Sequence, residues 1–246
     1  MLHFANTSLI PLATRSVADS ESYLLLTREI YQSPSFEHLV LTVPILTHIA
    51  SGLVLRNIRA SRRARLYGAE TRSQRYSLKF WPRMTLQARL GYLLVPLLGI
   101  HVLVNRITPI MVEGGSSGVG LGYVAHGFAR SPVFWNIYYG LFVAAGVWHI
   151  VGGWASWMGW RATTVRREHR SKGSLEGHLG EAEVNAQRDR RQRRTRWTVY
   201  GMAAIGTAVW LAGALGIIGR AGAGAGWQAK SWNELYRQVP VIGEWL

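Results

Sequence analysis

Cysteine is absent from the 246 residues. That excludes a disulfide framework, an iron–sulfur cluster, a thiolate zinc site and a cysteine nucleophile together. Acidic residues are scarce, 13 against 28 Lys+Arg, and charge of either sign is missing from four long intervals. Eighteen uncharged residues separate Glu37 from Arg56, 16 separate Arg89 from Arg106, 30 separate Arg130 from Arg161 and 23 separate Arg196 from Arg220. A bilayer core about 30 Å thick is crossed by about 20 apolar residues of helix. The intervals therefore read as transmembrane helices, and the chain as an all-α integral membrane protein with a bundle of four spans, or five if one more is hidden. No carboxylate lies inside the intervals, which argues against a proton relay of the pump type. Neither HExxH nor a Walker-type GxxxxGK occurs, and GGSSGVGLG follows a span rather than a strand, so it lacks the context of a phosphate-binding loop. No catalytic residue is named, and the chain reads as a non-enzyme.

What is present is positive charge, +15 net with a sequence pI of about 11.0. It sits directly beside apolar spans, where it reads as a topology signal or a contact to anionic headgroups, and not as a nucleic-acid surface. From Arg56 to Arg83 there are nine Lys+Arg against one acid, and from Arg161 to Arg196 eleven against five, ending in RDRRQRRTR. Both stretches read as basic loops on one cytosol-like face, with both termini on the other. Residues 1–35 lack the basic start and apolar run of a secretory signal and the Arg-rich composition of a matrix transit peptide, and read as a mobile polar tail. The transmembrane domain covers 36–219, with spans near 38–58, 86–110, 133–160 and 197–219. Six glycines in 111–132 predict a compact surface loop. Trp154, Trp157 and Trp160 predict an interfacial anchor at the end of the third span. Residues 220–246 read as a Gly/Ala hinge and an interfacial amphipathic segment. Ala204, Ala208, Ala212 and Gly216 form a small-residue stripe suited to close helix approach, within the chain or in a homo-oligomer.

Three histidines fall near the middle of spans: His48, His101 and His149. An ionisable side chain at that depth is costly and marks a functional candidate. His48, Gly52 and Arg56 share one helix face, as do Ala145, His149 and Gly153. A small residue one turn from His leaves room for something flat, so His48 and His149 are candidate axial ligands of iron in a b-type haem, with His101 as the alternative partner. Arg56 lies within reach of a propionate. Equally open is the reading in which these glycines pack helices and these histidines bond between them.

The order of motifs carries a resemblance. LQARLGYLLVPLLGIHVLVNRITPI (Leu86 to Ile110), GSSGVGLGYVAHGFA (Gly115 to Ala129), YYGLFVAAGVWHIVGGWASWM (Tyr138 to Met158) and the first-span string PILTHIASGLVLRNIR together resemble the fungal Mdm-ten-complementing protein family. The resemblance covers roughly residues 36 to 160 and, more loosely, the fourth span. It implies a multi-pass protein of the mitochondrial outer membrane, acting in lipid homeostasis and membrane contact beside the endoplasmic-reticulum tether and recruiting a bridge-like lipid-transfer protein. The family pattern has five spans, and its recruiting segment is Pro-x-Pro, of which none occurs here. The span pattern is also distantly similar to the cytochrome b anchor subunits of succinate dehydrogenase and fumarate reductase. That likeness implies haem ligation by His48, His101 and His149 and an alternative role in quinone oxidoreduction.

Overall fold

The computed structural model describes residues 2–33, 36–66, 68, 71, 73–74, 84–160 and 178–245. Among the described residues every regular element is helical. The chain divides into two compact units, one of Met1–Leu24 with Thr85–Leu246 and one of Leu25–Met84. In chain order, α1 comprises the contiguous turns Leu2–Phe4, Ala5–Leu9 and Ile10–Thr14, and α2 is Val17–Tyr31. The long helix α3 is His38–Leu66 and α4 is Leu86–Glu113. Then follow α5 (Leu121–Arg130), α6 (Pro132–Trp157), α7 (His178–Ala221) and α8 (Gly226–Arg237), with a last 3-10 turn at Gly243–Trp245.

Four stretches are long and apolar enough to cross a membrane: His38–Leu66, Leu86–Glu113, Pro132–Trp157 and Ala186–Ala221. Two overrun their expected ends on the basic side. Helix α3 carries Arg56, Arg59, Arg62 and Arg65 within it, and α7 begins well before the RDRRQRRTR run. Expecting loops there was mistaken for a simple reason. Arginine ends a hydrophobic interval but has a helix propensity close to that of leucine, so the helix continues into water. Residues 161–177, the rest of that expected loop, lie outside the described residues.

Proline explains a recurring irregularity. Wide turns with i→i+5 hydrogen bonds occupy Ala5–Leu9, His38–Thr42 and Leu103–Ile107, and each ends two residues before a proline, Pro11, Pro44 and Pro109. A proline cannot donate to the carbonyl four residues back and its ring collides with it; widening the preceding turn removes the collision and lets that stretch bond one residue further on. Other ends are set by caps. Thr85 Oγ1 accepts from the Ala88 amide at 3.2 Å, and glycines at positive φ close the C-termini of α4 (Gly114, +73°) and α7 (Gly222, +65°). The third span stops at Trp157, three residues short of expectation. Gly159 there takes φ +76° and the Trp160 amide turns back to the Ala155 carbonyl at 2.8 Å, leaving the Trp154 and Trp160 rings in edge contact at 5.4 Å.

In the larger unit α6 packs on both α4 and α7. The buried residues of α7 include Val199, Ala203 and Ile217, and a Cβ at Gly206 would lie 3.2 Å from Val147 of α6. The residues expected to form a polar tail are instead helical, and α1 lies along α7. Ser8 Oγ donates to the Val209 carbonyl at 3.0 Å, Trp210 Nε1 donates to Thr7 Oγ1 at 2.9 Å, and Phe4 meets the Trp210 ring at 4.9 Å. Asn6 and Ser8 are buried. At this depth no water is available to polar groups, so the protein itself satisfies them. The glycine-rich stretch is likewise more than a loop: it contains α5, with Tyr123, Ala125, His126 and Phe128 buried. Val104, Val119, Tyr123, Phe128, Trp135, Tyr138, Leu235, Tyr236 and Val239 make the main core. The C-terminal segment, expected to lie on the membrane surface, contributes three of these nine, Leu235, Tyr236 and Val239.

Candidate functional site

The three mid-span histidines have three different surroundings. His101 of α4 lies among rings, with Phe142 at 5.1 Å, His3 at 6.0 Å and Tyr139 at 6.1 Å between centroids, and Asn105 Nδ2 donates to its carbonyl at 2.9 Å. His149 of α6 places Nδ1 2.9 Å from the Gln87 carbonyl. A carbonyl only accepts, so Nδ1 carries the proton and donates it. His48 belongs to the smaller unit, on the exposed face of α3 with Gly52, beside the half-buried Arg56; the Ser51 hydroxyl donates to its carbonyl at 3.0 Å. Among the described residues no three His, Asp or Glu side chains converge as a metal site.

The α4–α6 seam shows what the glycines near His149 do. A Cβ on Gly91 would stand 2.8 Å from His149 Cε1, and one on Gly153 would stand 2.9 Å from Gln87 Nε2. Each glycine thus receives the other helix's side chain: Gly91 takes the imidazole and Gly153 takes the amide. The space beside His149 that a flat macrocycle needs is filled by Gln87, so this arrangement fits close helix packing and does not fit haem on that side of the ring. His101 is ten residues beyond Gly91 on α4, about 15 Å along the axis. That separation is too long for His101 and His149 to share one iron. A reduced-minus-oxidised spectrum of the purified chain, with His149→Ala alongside, tests haem ligation by this residue. His149→Ala is expected to cost about 2 kcal/mol through the lost packing and hydrogen bond. A b-type band lost in His149→Ala would reverse this reading.

Sequence reasoning missed a second constellation, where α5 meets α8. Gly122 and Gly127 of α5 lie under two aromatic side chains of α8. Cβ atoms there would meet Trp232 Cη2 at 2.9 Å and Tyr236 Cζ at 2.7 Å. Tyr236 stacks on Tyr123 with centroids 4.6 Å apart and planes 3° from parallel, and its hydroxyl donates to the Tyr123 carbonyl at 3.0 Å. The Tyr123 hydroxyl in turn donates to the Val104 carbonyl at 3.2 Å, inside the widened turn before Pro109. Burial pushes both phenols well above their ordinary value. His126 Nδ1 accepts from the Gly224 amide at 3.2 Å, so its other nitrogen is the donor, to Asn233 Oδ1 at 3.1 Å; Arg130 donates to the same oxygen. Six residues from α5, α8 and the turn between α7 and α8, Tyr123, His126, Arg130, Gly224, Asn233 and Tyr236, are thus clasped. The legible signal was the pairing of small residues in GLGYVAHGFA with the aromatics of SWNELYR.

Residues 114–118 also spell GGSSG, formally GxSxG, but no strand leads into it, and Ser116 accepts a hydrogen bond from Arg106. That is not the strand–turn–helix geometry of an exposed nucleophile. Elsewhere, Arg188, Arg190, Arg191, Arg193 and Arg194 are exposed along α7, and Ala204, Ala208 and Ala212 are exposed with Gly216 half-buried. Gly213 of α7 lies against α1, where a Cβ would lie 2.7 Å from Ser8 Cα.

Comparison places these features in a family. The chain matches no curated protein and no solved structure. Residues 96–223, just over half the chain, match the family described as MDM10-complementing protein 1, transmembrane domain. That range takes in α5, most of α4, all of α6 and the apolar length of α7, the helices built above into one packed unit. With four membrane-length helices and this match, the chain belongs to the MDM10-complementing protein 1 family and is a multi-pass protein of the mitochondrial outer membrane.

Proposed function

We propose that this chain is a non-enzymatic organiser of lipid exchange at the mitochondrial surface, acting in lipid homeostasis and membrane contact. The family match over residues 96–223 is the observation that carries the reading. The shape of α7 supports it. From Ala186 to Ala221 the helix has 36 residues, about 54 Å of rise against a hydrocarbon core of about 30 Å. The residues before Trp197 therefore project from the bilayer as a rigid rod with five exposed arginines. Such a rod attracts an anionic surface, a facing membrane's headgroups or an acidic patch on a bridge-like lipid-transfer protein, with about 1 kcal/mol per arginine near a charged bilayer.

The reading is tested in reconstituted vesicles and in cells. Proteoliposomes bearing the full chain are expected to capture phosphatidylserine-containing vesicles in trans. Changing Arg190, Arg191 and Arg193 to Gln is expected to weaken capture by on the order of 100-fold at low salt, with much of the wild-type advantage lost at 1 M salt. Cells lacking the chain are expected to show an altered mitochondrial phospholipid profile, restored by the wild-type chain. An unchanged profile on deletion would refute the lipid role.

A further inference from the structure

Where α4 and α7 leave the membrane, the first turns of α2, the N-terminus of α5 and the α7–α8 connection enclose an open cleft of about 470 Å³. The glycines at positive φ that end the two spans, Gly114 and Gly222, put it at headgroup depth. Its lining is rich in small residues, with glycines at 118, 120, 122, 222 and 224 and alanines at 221, 223 and 225. In a chain with more than twice as many basic as acidic residues, among the described residues no Lys or Arg lines this cleft and one carboxylate does, Glu21. The cleft is therefore a local reversal of the protein's overall charge.

Two side chains are fixed at its wall. Both carboxylate oxygens of Glu21 share the Leu121 amide at the start of α5, at 3.1 and 3.2 Å. A carboxylate has about four acceptor positions, so one amide leaves most of its capacity. Trp232 is wedged between glycines: Cβ atoms at Gly122 and Gly224 would lie 2.9 Å from its Cη2 and 2.7 Å from its Cε3. The ring also stands edge-on to Tyr123 with centroids 6.3 Å apart. Gly120, whose Cβ would lie 2.8 Å from Glu21 Cδ, is two residues from Gly122. The carboxylate and the indole thus stand against neighbouring residues of the α5 N-terminus, and both line the one cleft. An anion and an aromatic ring lining one cleft are the groups that recognise an alkylammonium, a cation attracted to the ring face and to the carboxylate.

We propose that this cleft binds the ammonium end of a zwitterionic phospholipid, choline or ethanolamine, between the Glu21 carboxylate and the Trp232 indole. Polar groups of Ser117 and Gln228 line the remainder. The choice of a lipid as the bearer of the ammonium rests on the lipid-handling reading above; the charge and ring geometry does not.

The test is native mass spectrometry of the full chain in detergent, titrated with dioleoylphosphatidylcholine or with dioleoylphosphatidylglycerol, which has no ammonium. Expected is retention of phosphatidylcholine that falls at least tenfold in Glu21→Gln, with phosphatidylglycerol adducts unchanged because they seat on the arginines. Glutamine keeps an acceptor for the Leu121 amide, and an unshifted melting temperature checks that the variant stays folded. Ser117→Trp, at an exposed lining position, fills the cleft without touching Glu21 and is expected to lose phosphatidylcholine equally. Free phosphocholine displacing the lipid shows that the headgroup alone suffices; failure to displace shows that the acyl chains contribute to the same site. Equal retention of both lipids by the wild type, or undiminished phosphatidylcholine in both variants, would overturn the proposal. Loss of binding in the variants alongside a normal phospholipid profile in cells lacking the chain would keep the site and remove the lipid role. The converse would remove the site alone.

Discussion

Replacing Gly213 with leucine is expected to expel α1 from the bundle, while the same change at Ala208, five residues earlier and exposed, is expected to leave the fold intact. At Gly213 the obstacle is backbone: a Cβ would lie 2.7 Å from Ser8 Cα and 2.8 Å from its carbonyl carbon, so no side-chain rotation relieves it. Overpacking in a tight site costs about 1–3 kcal/mol, and a clash with another helix's main chain belongs at the upper end, about 3 kcal/mol. Expulsion would also break the Ser8 to Val209 and Trp210 to Thr7 hydrogen bonds and leave buried Asn6 facing lipid, a further penalty at that depth. Limited proteolysis of reconstituted protein reads this directly: rapid cleavage before residue 15 in Gly213→Leu, none in wild type or Ala208→Leu. An α1 that stays protected in Gly213→Leu would refute the packing. Crosslinking of Ala208→Leu supplies a separate readout, since a homo-oligomer formed through Ala204, Ala208 and Ala212 would be lost there with α1 still docked.

How much of this was legible in the sequence follows from the physics of each element. The four spans were, because a charge-free interval of adequate length has few alternatives in a helical chain. Their basic ends were not, because charge marks where apolar residues stop and says nothing about where the helix stops; Arg188 to Arg196 are good helix formers that continue α7 outward. Helix α5 was hidden for the opposite reason. Six glycines in residues 111–132 read as a loop by propensity, yet Gly122 and Gly127 are the places where Trp232 and Tyr236 press, and the packing outweighs the propensity cost of about 1 kcal/mol per glycine. The histidine constellation was half legible. The His149 to Gly153 spacing marked a real close approach, but its occupant is Gln87 of the neighbouring helix. Glu21 lies a hundred residues before the amide it caps, and no local pattern announces such a pair.

Replacing Tyr236 with alanine is expected to release α8 from α5 and to cost about 3–5 kcal/mol, the range for removing a buried aromatic. Tyr236 is 2% exposed, stacks on Tyr123 and meets Trp135 edge-on at 5.9 Å, so the cavity would open in the middle of the main core. Tyr236→Phe keeps the ring and removes the donor to the Tyr123 carbonyl, for about 1 kcal/mol. The same contact makes the docking sensitive to alkali. Burial raises the phenol pKa of Tyr236 and of Tyr123 above the ordinary 10.0, so between the unfolded and folded values the native state holds protons that the unfolded state has lost. The slope of stability with pH is then negative: the stabilisation is complete below pH 10 and is lost as pH rises through the folded values. Ultraviolet titration is expected to show these two phenolates appearing late and together with loss of the near-ultraviolet circular dichroism of the aromatic core, the release of α8 and the ionisation being one event. In Tyr236→Phe the remaining Tyr123 is expected to keep a late titration with a smaller loss of signal. Early, independent ionisation of both tyrosines in the wild type would mean that α8 is not seated on α5.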